Sequence, residues 1–297
     1  MVGEADGAYL PSSGSLVPVS SKGTHVIPAA LIGGFGEPSR RRGARYAKLV
    51  VRRRDHGDLL GGVQAADNLA RRAAAYRLAA PPSGVDPDVI DRLWAYEDQL
   101  PALVERLSTR ALQPGDPDLL FAYVAGAAVR HLTFAAEAQH RHAAQGLPIP
   151  AGDGLQYLRV EALRNELKRL PSWRWRVLHS PSDAPRFMIT DRGWIYVHEP
   201  GWPTNALFLP MGPRVALLGY LDDPRLPKRR PPFEEHLDLC ASWIVWLNAA
   251  AWDDPFIEIL MAHPNDRERL ERLPQPQHLR VNRYGPYRYR HTNGLFD

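Results

Sequence analysis

Four separate parts of the chain carry residue types suited to acid–base or phosphate chemistry. His25 comes just before a short predicted helix, where its imidazole could act as a general base. Thr190 and Asp191 end a predicted strand, and a hydroxyl beside a carboxylate could bind a substrate or a metal ion. Arg130 and Arg164 lie on predicted helices, and a planar guanidinium suits a phosphate group. Together these side chains would form the catalytic set of a metal-independent phosphodiesterase.

Each position also has a structural interpretation. His25 could cap or pack against the helix that follows it. The sequence Asp-Arg-Gly at 191–193 is typical of a hairpin turn. Arg164 shares a predicted helix with other polar residues at i,i+4 spacing, which is typical of a solvated face: Glu161, Asn165 and Lys168.

The C-terminal segment interleaves basic and aromatic residues. Tyrosine rings that stack on bases and positively charged arginine side chains are typical of proteins that bind single-stranded nucleic acid, so we expect this segment to contact it. The same residues would also suit a tail that folds back on the chain or crosses to a second copy, because the segment contains turn signals. The nucleic-acid-binding candidates are Arg280, Arg283, Tyr284, Tyr287, Arg288 and Arg290.

Other groups of ionisable residues have spacings that argue against a metal site. His131, His140 and His142 do not share one helical face. Asp253, Asp254 and Glu258 could reach a cation, but carboxylates at a predicted helix start are more typical of caps. The chain contains no P-loop, dinucleotide-binding, nucleophile-elbow or HExxH motif, so we expect no cofactor and no metal ion.

The elements that must position these residues indicate an α+β fold. Helical spacing predicts a block of helices that opens at Asp86-Pro87, continues from Asp116-Pro117 and ends with a helix over 155–170. The alternation of Trp173-Arg174-Trp175-Arg176-Val177 then predicts a half-buried strand. The segments that follow predict one strand pair over 186–190 and 194–198 and another over 205–209 and 214–220. Two further helices, predicted over 234–252 and 255–262, would bring the chain back to cover the sheet and form a C-terminal helical return. The prediction is an antiparallel sheet or meander packed by a helical block from the N-terminal half and by this C-terminal helical return.

Composition predicts one domain with extensions at both ends. The chain has 297 residues, of which 44% are hydrophobic and 24% charged, which is typical of a globular protein. Residues 1–23 are small and polar, so we expect a flexible arm. Residues 24–278 would form the single α+β domain, and 279–297 the basic aromatic tail. The net charge of +4, supplied largely by arginine, favours an anionic partner.

A single cysteine and the lack of long apolar runs indicate the cytoplasm. Cys240 has no second cysteine to pair with, and its apolar surroundings predict a buried side chain. The chain shows neither a secretory leader nor a run of the ~20 apolar residues that a membrane span requires. We therefore expect a cytoplasmic protein that has no membrane partner.

Several short motifs, in the same order, resemble the bacterial domain of unknown function 4238 family. The resemblance covers about residues 24–265. The opening resembles the HHxVP…LRGF pattern of that family, and 186–191 resembles its F-I-T-S-D strand end. The segments that carry the resemblance are 24–35, 94–97 with Leu107, 123–130, 175–177, 186–191, 207–211 and 247–248.

This chain departs from the family pattern at three places. Thr24 replaces the first histidine, 189–190 is Ile-Thr instead of Thr-Ser, and 192–193 is Arg-Gly instead of Asn-Pro. If the family uses those positions for chemistry, the activity here is altered or lost. Some members of the family are similar to anti-phage defence proteins, so the resemblance implies a nucleic-acid-acting role in a defence-like setting. Two alternatives stay open: a non-catalytic protein that binds or senses a small molecule, and a partner-binding module that forms a homodimer.

Overall fold

The structure is a computed structural model that describes residues 24–39, 43–54, 63–69, 71–72, 76–131, 133–197, 206–220, 231–254 and 256–274. Its strands are β1 (Thr24–His25), β2 (Glu37–Ser39), β3 (Gly43–Arg53), β4 (Gln64–Ala65), β5 (Arg71–Arg72), β6 (Arg174–His179), β7 (Ile189–Thr190), β8 (Ile195–Val197), β9 (Ala206–Gly212), β10 (Val215–Tyr220), β11 (Glu235–Asp238) and β12 (Ile259–Ala262). Its α-helices are α1 (Ala29–Gly34), α2 (Leu100–Ser108), α3 (Asp116–Arg130), α4 (Phe134–Ala144), α5 (Asp153–Arg169), α6 (Ala241–Asp253) and α7 (Arg267–Glu271). Short 3₁₀ segments cover Ala66–Asn68, Asp91–Gln99, Leu170–Ser172 and Pro264–Asp266.

The described strands form two larger sheets and one small pair, and the α+β prediction is confirmed. The first sheet has the order β11-β6-β10-β9-β8, in which every pairing is antiparallel except that of β11 with β6. The second sheet has the order β2-β3-β12-β7, with β4 added beside β3. The two-residue strands β1 and β5 pair with each other.

The centre of the first sheet is apolar on both faces. Every residue of β9 and β10 is buried, so these strands lack the alternation of a half-exposed strand. In β6, Trp175 and Val177 are buried while Arg174 and Arg176 are partly exposed, as the alternating sequence predicts. Gly219 lies opposite Trp175, and a Cβ at Gly219 would come 2.5 Å from the indole ring. Glycine is therefore required where the ring crosses β10.

The start of the helical block predicted at Asp86-Pro87 is wrong, and the start predicted at Asp116-Pro117 is confirmed. The Asp86 carboxylate accepts a hydrogen bond from the Asp88 backbone N–H in a local turn, and the 3₁₀ segment begins only at Asp91 and α2 at Leu100. Asp116 and Pro117 begin α3, and two hydrogen bonds from Arg106 to the Asp116 carboxylate hold that start against α2. None of the described helices is by itself long and apolar enough to cross a membrane. α3 and α4 reach that length and apolarity only when taken together, and they are bent by 69° at their junction.

Three further predicted elements are wrong. The predicted pair over 186–190 and 194–198 is not a hairpin, because β7 pairs with β12 while β8 pairs with β9 in the other sheet. The predicted helix over 255–262 contains β12, since a short apolar run does not distinguish a strand from a helix by its periodicity. The predicted helix over 234–252 is divided into β11 and α6, because β11 instead pairs with the free edge of β6.

Cys240 is exposed and not buried as predicted. It lies in the N-cap position of α6 with an extended backbone, so its side chain precedes the helical face that enters the core. The apolar run around it misled the prediction because the buried residues of that run begin at Ile244.

Candidate functional site

The predicted catalytic residues Thr190 and Asp191 lie in a turn that joins the two sheets. We call residues 190–193 the crossover turn. Thr190 Oγ1 accepts a hydrogen bond from the Gly193 backbone N–H at 3.1 Å, and Gly193 has a φ of +80°. Both features are typical of a tight turn, so the Thr190 hydroxyl has a structural role here.

The Asp191 carboxyl is buried in the crossover turn and has an altered acidity. Its side chain is 4% exposed, and Oδ1 accepts a hydrogen bond from the Glu258 backbone N–H at 3.3 Å. Burial, aided by the charge of Glu258, raises the pKa of Asp191 to about 7. A carboxyl group with such a pKa changes protonation near neutral pH, which is where an acid–base group is most effective.

The side chain of Arg192, the residue that follows Asp191, packs against two aromatic rings. Its guanidinium lies 3.6 Å from the ring centre of Trp194 and 5.3 Å from that of Phe256. Its Nη2 lies 3.5 Å from a carboxylate oxygen of Glu137, and its Nε has no hydrogen-bond partner among the described residues. His131 packs edge-on against Trp194. Burial and the nearby arginines hold the pKa of His131 well below its usual range, so this imidazole is neutral.

Arg130, the predicted phosphate-holding residue, is buried at the end of α3. It forms an ion pair with Glu97, and its guanidinium lies 4.8 Å from the ring centre of Trp94. Burial acts to lower the pKa of Arg130, but the Glu97 carboxylate together with Tyr76 and Tyr96 more than offsets this effect, and the pKa is raised. The guanidinium is therefore directed at a protein carboxylate, as in a structural ion pair.

The Tyr123 side chain lies close to the crossover turn and within electrostatic reach of Arg130. A Cβ at Gly193 would lie 3.7 Å from the Tyr123 hydroxyl and 3.4 Å from the side chain of Ile27. Tyr123 is 2% exposed, and its hydroxyl has no hydrogen-bond partner within the part of the chain that the structure describes. Ile27 is two residues after His25, whose backbone pairs with Arg71 in the two-stranded pair. The His25 side chain itself lies outside the described part of the structure.

The other predicted site residues do not join this region. Arg164 is exposed on α5, as are Glu161, Asn165 and Lys168, which confirms the solvated face. The six tail residues Arg280, Arg283, Tyr284, Tyr287, Arg288 and Arg290 lie outside the described residues. Among the residues that the structure describes, no group of three or more His, Cys, Asp and Glu side chains is arranged to hold a metal ion.

A second region, not predicted from the sequence, brings three arginines around one cavity. The arginine cleft has a volume of about 340 Å³. It lies between the segment that follows β6, the β9–β10 turn and the start of α7. Its lining residues are Ser182, Asp183, Ala184, Arg186, Arg214, Asn265, Asp266, Glu268 and Arg269.

Asp266 organises the basic side of the arginine cleft. Its side chain is 4% exposed and accepts hydrogen bonds from Arg186 Nη1 at 2.8 Å and from Arg269 Nη1 at 2.9 Å. One carboxylate is thus shared by two guanidinium groups. Glu268, another acid of the lining, is itself paired with Arg272. With Glu268 paired outside the cleft, the three arginines face the carboxylates of Asp183 and Asp266, which leaves an excess of one positive charge.

Arg214 forms another part of the wall of the arginine cleft. Its Nη1 donates to the carbonyl oxygens of Pro181 and Ala184, each at 2.6 Å, and its Nη2 donates to that of Ser182 at 2.9 Å. These bonds hold the segment after β6 in place. Partial burial lowers the pKa of Arg214, and the charges of Arg186 and Arg269 lower it further. The three guanidinium groups are thus close enough to repel one another.

No local sequence pattern marks the arginine cleft. Arg186, Arg214 and Arg269 come from three distant segments, and only the folded sheets bring them together. The one available signal was the general excess of arginine over lysine, which does not select particular positions.

Comparisons with known proteins add no relative. No protein-family model matches this chain, and no curated protein or solved structure matches it. The resemblance to the domain of unknown function 4238 family therefore stays a prediction that depends on the short motifs alone. The function must be inferred from the geometry of the two regions.

Proposed function

We propose that the protein binds a small phosphate- or carboxylate-bearing molecule in the arginine cleft. The observation that carries this proposal is the sharing of the single Asp266 carboxylate by Arg186 and Arg269 at the edge of a 340 Å³ cavity. Cavities of this size accommodate small ligands. An anion placed between the two guanidinium groups would relieve their mutual repulsion and add charge-assisted hydrogen bonds.

The arrangement of the cleft favours recognition of a fixed group over loose attraction of counterions. Arg186 is partly buried, with 28% of its side chain exposed, and Asp266 holds it in position. Arg214 is fixed by several backbone carbonyls. Since the walls are already ordered, little side-chain entropy would be lost when a ligand binds.

Isothermal titration with inorganic phosphate, a nucleoside monophosphate and citrate tests this function. Arg269→Ala removes a cleft arginine, and Arg267→Ala is the matched control, because both side chains are 53% exposed on α7 and only Arg269 lines the cleft. Losing one charge-assisted hydrogen bond, worth ~1.5 to 3 kcal/mol, should weaken binding about tenfold or more. The control should bind as the wild type does.

The outcomes separate the alternatives. Preference for the phosphate compounds over citrate would make the ligand a phosphate, and the reverse preference would make it a carboxylate. Equal weakening by both arginine variants would indicate general electrostatic attraction and contradict a defined site. If none of the three anions binds, the proposal is wrong.

A second function, metal-independent cleavage of phosphodiester bonds in nucleic acid, is favoured by one specific observation. Asp191 has a pKa near 7 and lies in a turn that contacts Ile27, two residues after His25. An acid–base pair of His25 and Asp191 would suit phosphodiester hydrolysis. The basic net charge and the family resemblance add support, and a defence-like setting is part of the same proposal.

Labelled RNA and single-stranded DNA, incubated with and without Mg²⁺, test this second function. Cleavage that is unaffected by chelation and is lost in both His25→Ala and Asp191→Asn would support it. Asp98→Asn, which alters an exposed carboxylate, is the control and should cleave normally. Absence of cleavage by the wild type, or cleavage that survives both site variants, would contradict this assignment.

A further inference from the structure

The lining of the arginine cleft is almost entirely polar. Of its nine described residues only Ala184 is apolar, and none carries an aromatic ring. Ligand pockets in proteins are usually lined mainly by apolar and aromatic side chains. A cavity of about 340 Å³ with this lining therefore fits a molecule that is polar over its whole surface.

Three polar side chains share the cavity with the arginines and are exposed to it: Ser182, Asp183 and Asn265. The Asp183 carboxylate lies within electrostatic reach of Arg214, but among the described residues it forms no ion pair with a cleft arginine. A carboxylate accepts hydrogen bonds, whereas a hydroxyl and a side-chain amide both donate and accept them. Groups of these three kinds are suited to the hydroxyl groups of a sugar or a polyol.

Arg214 holds the backbone that carries two of these side chains. Its Nη2 donates to the carbonyl oxygen of Ser182 at 2.9 Å. Its Nη1 donates to the carbonyl oxygens of Pro181 and Ala184, which flank Ser182 and Asp183, each at 2.6 Å. Because this segment is already fixed in place, less conformational entropy is lost when its side chains bind a ligand.

The charges of the cleft fit a ligand with one anionic group. The excess of one positive charge among the arginines and carboxylates of the lining can be offset by a single phosphate or carboxylate. A second anionic group on the same ligand would be repelled by the carboxylate of Asp183, which is not tied to an arginine. The remainder of the ligand is therefore uncharged and forms hydrogen bonds.

We propose that the ligand of the arginine cleft is a polyhydroxylated compound with one anionic group, namely a sugar phosphate or a sugar acid. This inference rests on the function proposed above and adds the uncharged part of the ligand. The anionic group binds to Arg186 and Arg269, and the hydroxyl groups bind to Ser182, Asp183 and Asn265. Both sets of side chains line one cavity, so a single small molecule can reach them together.

Isothermal titration with matched compounds tests this inference. If the ligand is a sugar phosphate, glucose 6-phosphate should bind about tenfold or more tightly than inorganic phosphate, because its hydroxyl groups add hydrogen bonds. If the ligand is a sugar acid, gluconate should exceed acetate by a similar factor. Glucose, which has no charge, should bind more weakly than the preferred anion. AMP should bind no more tightly than ribose 5-phosphate, because the lining has no aromatic ring on which the base could stack.

Asp183→Ala separates recognition of hydroxyl groups from a general effect of charge. The variant should bind the preferred hydroxylated anion about tenfold more weakly, because it lacks an acceptor for hydroxyl groups. It should bind the simple anion, phosphate or acetate, as tightly as the wild type or more tightly, because a negative charge has been removed from the cleft. Asp98→Ala, which removes an exposed carboxylate outside the cleft, is the control and should bind both compounds as the wild type does.

The outcomes distinguish this inference from the function on which it rests. If phosphate or acetate binds and is weakened by Arg269→Ala, but neither hydroxylated compound binds more tightly than its simple partner, the anion site stands and the polyhydroxylated ligand is wrong. Tighter binding of AMP than of ribose 5-phosphate, or equal weakening of the hydroxylated and the simple anion by Asp183→Ala, would also overturn it. If no anion binds to the wild type, the proposed function fails and this inference fails with it.

Discussion

Asp266 accepts a hydrogen bond from Arg186 at 2.8 Å, although 80 residues separate the two in the sequence. The bond joins the segment before β7 to the start of α7, and Arg269 shares the same carboxylate. This pairing both closes one side of the arginine cleft and connects the last described helix to the second sheet.

Asp266→Asn should destabilise the protein by about 1–2 kcal/mol, because two partly exposed arginines lose their common carboxylate. Added phosphate should recover part of this loss by occupying the cleft. Urea unfolding with and without phosphate measures both effects. Glu271→Gln, which breaks an exposed pair with Arg267, is the control and should cost less than about 1 kcal/mol. Equal losses in the two variants would show that Asp266 has no special role.

Glu97→Gln should destabilise the protein more strongly, by about 3 kcal/mol. The Arg130 side chain is 3% exposed, and the variant removes the carboxylate that balances its charge. Glu268→Gln is the matched surface variant, since Glu268 and its partner Arg272 are both largely exposed, and it should cost less than about 1 kcal/mol. Thermal and urea unfolding compare the two. A loss of under 1 kcal/mol in Glu97→Gln would mean that Arg130 does not depend on this pair.

Asp191→Asn should change how stability depends on pH. The pKa of Asp191 is raised in the folded protein, so the folded state keeps its proton longer than the unfolded chain does. Wild-type stability should therefore fall as the pH rises from about 4 to about 7, by about 1.4 kcal/mol for each unit of pKa difference. Asp191→Asn should not show this loss of stability. The free energy of unfolding of the variant, relative to that of the wild type, should therefore rise from pH 5 to pH 8.

Asp116→Asn is the control of opposite sign. Hydrogen bonds from Arg106 lower the pKa of Asp116, so its contribution is present at neutral pH and is lost as the pH falls through the folded-state pKa. This variant should be less stable than the wild type at pH 7 and should approach it at acid pH. If the free energies of unfolding of the wild type and Asp191→Asn change in parallel with pH, the pKa of Asp191 is not raised in the folded protein.

Gly219→Ala should destabilise the first sheet by about 1–3 kcal/mol through overpacking. The new Cβ would lie 2.5 Å from the ring of Trp175, whose Nε1 is held by the carbonyl oxygen of Leu170. Gly154→Ala in the first turn of α5 meets nothing within 4 Å and should be neutral or slightly stabilising. Chemical unfolding followed by tryptophan fluorescence measures both. Equal stability of the two variants would mean that the ring can move aside.

Local patterns predicted the elements whose signals are local. The Asp116-Pro117 start of α3 and the alternation around Trp175 depend on neighbouring residues, and both predictions are confirmed. The pairing of β7 with β12 depends on residues far apart in the chain, and no turn signal at 191–193 could show that its two flanking strands separate. The arginine cleft escaped prediction for the same reason. The catalytic role of Thr190 and Asp191 stays a prediction, and their burial could not be read from the sequence.

The crossover turn also has a consequence for how the molecule opens. Four residues separate Thr190 on the edge of one sheet from Ile195 on the edge of the other. Fraying of β7 from β12 would thus release the chain next to β8, and fraying of β8 would do the same for β7. We therefore expect the backbone amides of both edge strands to exchange with deuterium at a common rate under native conditions, in a single opening event.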